Sequence, residues 1–191
     1  MTAALLGTAL AVAGCASDTT TATEVPSCGQ GHDGSAANGV VLMAQSVPSA
    51  SWVPCMATTL PIGWNFHALD ARNGHADFWL DSDRDGQRAI EVRLEPSCDS
   101  QGATEIPSER EGMTRLERVT MTTPHFEGKR YYVFDGGCIT VVFRLTGDSR
   151  GEGLALATDA VGVVSRTSLQ KQVHDESNGR LDLDPAGDGN A

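Results

Sequence analysis

Along the middle of this chain the hydrophobic and polar positions alternate with a period of two, which predicts strands. Arg88 to Glu95 is the clearest case, with Ile90, Val92 and Leu94 on one face and Glu91, Arg93 and Glu95 on the other. Trp64 to Arg72 and His75 to Leu80 flank Asn73-Gly74, the strongest short hairpin signal. Lys129 to Phe134 and Cys138 to Thr146 flank a second turn, Asp135-Gly136-Gly137, and Ile139, Val141, Phe143 and Leu145 share a face. Met113 to Thr122 reads as a less regular strand, and Val40 to Val47 is an apolar run of unassigned type.

Helix signals come only afterwards. Glu152 to Val164 is apolar nearly all round, which predicts a helix packed against the sheet. Thr167-Ser168-Leu169-Gln170 has a capping-box pattern and opens a second helix, striped by Leu169 and Val173 and ended by Asn178-Gly179. Strands followed by helices predict an α+β fold. The expected architecture is an antiparallel meander sheet of about five to seven strands, covered by one or two C-terminal helices.

The ends read differently from the middle. Residues 16–39 are rich in Thr, Ser, Ala and Gly and poor in large apolar side chains, too few to offset the entropy of ordering them. Residues 176–191 are polar and acidic, with Asp182, Asp184 and Asp188, and read as a disordered tail. At the amino end, Ala3 to Ala13 carry no charge, and Val12-Ala13-Gly14-Cys15 close that run with small residues before a cysteine. This stretch resembles the bacterial lipoprotein signal. The resemblance implies that residues 1–14 are removed, that Cys15 is diacylated on sulfur, and that the protein is held on the outer face of the cell membrane. Residues 15–39 then form a lipidated flexible tether, and residues 40–175 a single disulfide-bonded domain.

Charge and cysteine count sharpen this picture. The chain has 191 residues and a net charge of −11, from 25 acidic and 14 basic residues. It lacks the basic footprint of a nucleic-acid binder, and it is poorly suited to flat adhesion on anionic lipid, so membrane contact falls to the lipid on Cys15. With Cys15 assigned to lipid, Cys28, Cys55, Cys98 and Cys138 remain, an even number in an exported chain, as two disulfides require. No C-x2-4-C pair occurs, which disfavours zinc. Three connectivities are open, and sequential pairing, Cys28–Cys55 with Cys98–Cys138, needs the least threading.

Four features carry candidate chemistry. Asp81-Ser82-Asp83-Arg84-Asp85-Gly86 reads as the opening of a calcium loop, in which alternate carboxylates converge on one cation. Val92 stands where an EF-hand needs its bidentate Glu, so calcium here requires a non-EF turn; the competing reading is a polar hairpin loop. The Asn73-Gly74 turn pairs Asp70 with Asp77 and Ala68 with Trp79. Carried one strand further, it sets Asp77 opposite Glu91 and His75 opposite Arg93. Asp70, Asp77, Trp79 and Glu91 then form either a solvent-facing charge lattice or a polar binding face suited to a small or sugar-like ligand. Gly147-Asp148-Ser149-Arg150-Gly151 matches G-x-S-x-G between a predicted strand and helix. Asp159 and His174 follow it in hydrolase order, although the antiparallel sheet is not the one that motif requires. The polar segment Pro96 to Gly112, with Cys98 inside it, is the expected contact loop for a ligand or partner. His67 should face the core beside Leu80. No nucleophile–base set, metal cage or phosphate loop is complete, so the expected role is a non-catalytic envelope protein that binds a ligand or partner, with a small hydrolase using Ser149 as the alternative.

Overall fold

The computed structural model describes residues 20–22, 25–29, 36–57 and 59–185. The expected signal peptide, 1–14, and Cys15 lie outside the described residues. From the amino end come β1 (Thr20–Ala22), α1 (Asn38–Ser46) and β2 (Trp52–Met56), then β3 (Trp64–Arg72), β4 (His75–Ser82) and β5 (Gly86–Glu95). There follow β6 (Thr104–Ile106), β7 (Thr114–Met121), β8 (Phe126–Phe134), β9 (Gly137–Leu145), α2 (Arg150–Asp159), β10 (Val161–Ser165) and α3 (Arg166–Glu176).

Eight strands form one antiparallel sheet in the order β1-β3-β4-β5-β9-β8-β7-β6, and β2 pairs with β10 in a second, two-stranded sheet. The α+β class stands, but one meander of five to seven strands does not. Two meanders, β3-β4-β5 and β6-β7-β8-β9, are joined edge to edge by β5 and β9, through pairs such as Ile90 with Phe143 and Val92 with Val141. Those inward residues, with Phe78, Leu80, Leu94, Ile139 and Leu145, are at most 1% exposed. The layer covering them is also not purely C-terminal. α1 contributes Val40 and Met43, and α2 contributes Leu154 and Ala157, to the same core.

Each departure from the expected elements has a local cause. The helix expected over Glu152–Val164 ends at Asp159, because Val161, Val163 and Val164 are β-branched and stiff at χ1 and have a strand partner in Met56, Pro54 and Val53. The next helix is capped two residues earlier than expected: Ser165, not Thr167, accepts from the Ser168 amide at 3.1 Å. A bulge between Phe66 and Ala68 turns His67 off the core, and its Nδ1 lies 3.0 Å from Asp81 Oδ2; Phe66, not His67, packs opposite Leu80. Within the loop expected over Pro96–Gly112, Thr104–Ile106 adds to the sheet edge against β7.

The ends are also more ordered than their composition suggests. Thr20–Ala22 pairs with β3, and the Met56 amide donates to the Pro26 carbonyl at 2.6 Å, so part of the expected tether lies on the domain. Leu183 is 6% exposed, and its amide donates to Gln170 Oε1 at 2.6 Å, so the tail is packed at least that far. In both segments backbone hydrogen bonds supply what few apolar side chains could not. Both disulfides have the sequential connectivity, Cys28–Cys55 and Cys98–Cys138. They indicate an oxidising, exported environment, and among the described residues no helix is long and apolar enough to cross a membrane.

Candidate functional site

The expected sites are dispersed. Ser149 stands at the amino end of α2 beside a cavity of about 230 Å³ that Trp64, Asp85 and Glu152 also line. Asp159 borders a different cavity, and His174 Nδ1 is 3.0 Å from Asp182 Oδ1 on the exposed side of α3. Among the described residues no hydrogen bond links Ser149 to Asp159 or to His174. The carboxylates of the acidic turn also diverge. Asp81 accepts from the Arg88 amide at 2.8 Å. Asp85 accepts from the Ser82 hydroxyl at 2.9 Å and from the Thr146 and Gly147 amides, each at 2.8 Å. Asp83 instead lies beside Gly63. Asp85 thus ties the β4–β5 turn to the link between β9 and α2. Among the described residues no group of three or more His, Cys, Asp or Glu is placed to hold a metal ion.

On the polar face, Asp70 lies opposite Asp77 as expected, but Asp77 faces Arg93 and Trp79 faces Glu91, two residues from the expected register. The cause is a second irregularity between Leu80 and Ser82, which moves the β5 pairing by an even number and so keeps every side chain on its expected face. The acidic row therefore dissolves into mixed pairs. Arg93 Nε is 2.8 Å from Glu91 Oε1 and 3.7 Å from Asp77 Oδ1, while His75 bonds both Asp77 and Glu95. Burial pushes the Asp77 carboxyl above the usual carboxylate range, against the opposing pull of His75 and Arg93. Arg88 stacks over the Trp79 ring with Cζ 4.8 Å from the centroid, so that indole is already covered.

A site that the sequence reading passed over lies at the other end of the sheet. Pairing of β8 with β9 sets Arg130 opposite Val141 and Tyr132 opposite Ile139, on the face that is core elsewhere. β7 adds Glu117 opposite Arg130 and Arg115 opposite Tyr132. Arg110, from the segment before β7, lies over the Tyr132 ring at 4.6 Å. Beneath α2, Arg110, Arg115, Arg130 and Tyr132 line a cavity of about 390 Å³, which Thr158, Glu109 and Asp159 also line.

Among the described residues only one guanidinium there has a carboxylate in close contact. Arg130 Nε donates to Glu117 at 2.8 Å and its Nη1 to Thr158 Oγ1 at 3.2 Å. Among the described residues Arg115 has only distant acids, Glu117 at 4.0 Å and Glu109 at 3.9 Å, and Glu109 is 88% exposed, where an ion pair contributes little. Arg110 donates to the Val161 carbonyl. Burial, reinforced by the neighbouring Arg115 and Arg130, lowers its pKa from the usual arginine value, though an arginine stays protonated throughout. Arg110 Nη1 and Arg115 Nε are buried without a hydrogen-bond partner among the described residues. An unmade bond of this kind costs about 1–3 kcal/mol, more for a charged group. Planar guanidiniums with free N–H groups match the oxygens of a carboxylate or phosphate. The signal available in the sequence was charge at inward positions: Arg115, Glu117 and Arg130 fall on the core face once the register is known, and buried charge is the informative exception.

No family model, no curated protein and no solved structure matches this chain.

Proposed function

We propose that this protein is an exported, lipid-anchored domain that binds a small anionic ligand without catalysing a reaction on it. The observation that carries the reading is the three-arginine cavity, with two buried N–H groups that lack partners among the described residues, in a chain of net charge −11. Its volume falls within the roughly 300–1,000 Å³ usual for small-molecule sites. An entering oxyanion supplies the missing acceptors and relieves the repulsion among the guanidiniums.

The test is thermal unfolding in phosphate, sulfate or citrate against chloride at equal ionic strength. A ligand held only by the native state stabilises it by about 2.7 kcal/mol at a hundredfold its Kd. The wild type should gain melting temperature in at least one polyvalent oxyanion, and Arg115→Gln should lose that gain. Equal melting curves in all four anions would sink the binding reading. The anchor has its own test. Cys15→Ala should release soluble protein or leave an unprocessed precursor, and a variant that stays with the membrane in the processed form of the wild type would refute lipidation.

A further inference from the structure

The face of the sheet opposite α1 and α2 should be washed by solvent, yet on it Tyr131 is 2% exposed, Thr140 3% and Cys138 1%. The segment after β5 reaches this face. The Cys98–Cys138 disulfide pins it, Arg118 Nη1 donates to the Gln101 carbonyl at 2.8 Å, and Asp99 closes its own turn on the Gln101 amide at 3.0 Å. A cavity of about 210 Å³ lies there, lined by Ser97, Asp99, Arg118, Lys129, Tyr131 and Thr140 among others.

The charges around this cavity are unequally committed. Arg93 is taken by Glu91 and Asp77, and Glu95 by His75. Arg118 and Lys129, directly opposed on β7 and β8, have no carboxylate within 4.0 Å among the described residues. Among the described residues Arg118 Nε is buried without a hydrogen-bond partner, and so is the Tyr131 hydroxyl. The remaining lining is almost wholly polar: hydroxyls from Ser97 and Thr140 and the carboxylate of Asp99.

We propose that this cavity is a second binding site, for a monosaccharide-sized acidic sugar of the uronate class. The carboxylate sits between Arg118 and Lys129, and the ring hydroxyls bond Tyr131, Thr140 and Asp99. Two cations without a carboxylate partner among the described residues call for one acidic group. The Tyr131, Thr140 and Ser97 hydroxyls and the Asp99 carboxylate beside them call for ligand hydroxyls rather than a compact inorganic anion, which would leave them unused. Burial holds the Tyr131 phenol above its usual pKa, so it remains a neutral donor at every pH of interest. The cavity is smaller than the roughly 300 Å³ at which sites for drug-sized ligands begin, which limits the occupant to about one ring.

The experiment is calorimetric titration of the intact oxidised protein with galacturonate, with galactose and inorganic phosphate as comparison probes. Galacturonate should bind, and galactose should bind at least about tenfold more weakly, the loss of one hydrogen-bonded charge contact. Tyr131→Phe and Lys129→Gln should each weaken galacturonate by about the same factor. Tyr131→Phe should at the same time leave the melting temperature unchanged or raised, because it deletes a hydroxyl that is unpaired without ligand; a merely structural tyrosine would lower it. Each titration is repeated in Arg115→Gln, which removes anion binding at the other cavity, so the two sites fail or stand separately. The proposal is overturned if galacturonate does not bind the Arg115→Gln protein, if phosphate binds that variant as tightly, or if neither Tyr131→Phe nor Lys129→Gln alters the affinity.

Discussion

Gly136→Ala should destabilise the domain by about 3–5 kcal/mol, among the largest effects of any single substitution outside the disulfides. Two independent penalties meet there. Gly136 has φ 71°, a conformation that costs an L-residue about 1–2 kcal/mol. A Cβ at that position would also lie 1.9 Å from the Ser49 carbonyl oxygen, a backbone atom that cannot rotate away. To make room, the segment around Ser49 must leave the β8–β9 turn and weaken the bonds from the Ser51 amide and hydroxyl to the Asp135 carbonyl, at 3.2 and 2.8 Å. Each is worth about 1 kcal/mol. Gly112 is the control, with φ 74° and open space around it; Gly112→Ala should cost only the conformational part. Thermal melts of both variants check this, at about 2–4 °C per kcal/mol for a chain of this size. Equal shifts for the two would show that Gly136 does not contact Ser49.

Opening the Cys98–Cys138 bridge should cost about 4 kcal/mol. The chain-entropy relation gives this for a closed loop of 40 residues, within the 2–5 kcal/mol usual for small exported domains. Cys98→Ser and Cys138→Ser should lower stability equally, and the double variant should fall no further than either, since all three remove the same link. Additive losses would mean that the two cysteines act separately. The bridge also fastens the segment that borders the Tyr131 cavity, so the double variant should bind galacturonate more weakly than the wild type. Denaturant titration and calorimetry on the same three proteins read both effects.

What the sequence determined is what depends on near neighbours. Period-two alternation assigned Ile90, Val92 and Leu94, and Ile139, Val141, Phe143 and Leu145, to the buried face. Asn73-Gly74 specified a two-residue turn, which paired Arg72 with His75 and Asp70 with Asp77 as the structure does. Cysteine number and order led to the two disulfides that the structure contains. Each inference needed only side-chain period, turn chemistry or chain order.

What the tertiary structure decided is which distant segments meet. Nothing within reach of β5 in sequence says that β9 will pair with it, or that β2 and β10 will find one another and take Val161 to Val164 out of a helix. The same choice of partners fixed the chemistry. It gathered Arg110, Arg115 and Arg130 under α2, and it set Arg118 and Lys129 on the opposite face. It also kept Ser149, Asp159 and His174 apart, though they follow one another in hydrolase order. An arginine on an alternating strand reads as a surface charge until the strand beside it is known. Its burial, and with it the free N–H groups that make a site, depends on strands and helices dozens of residues away.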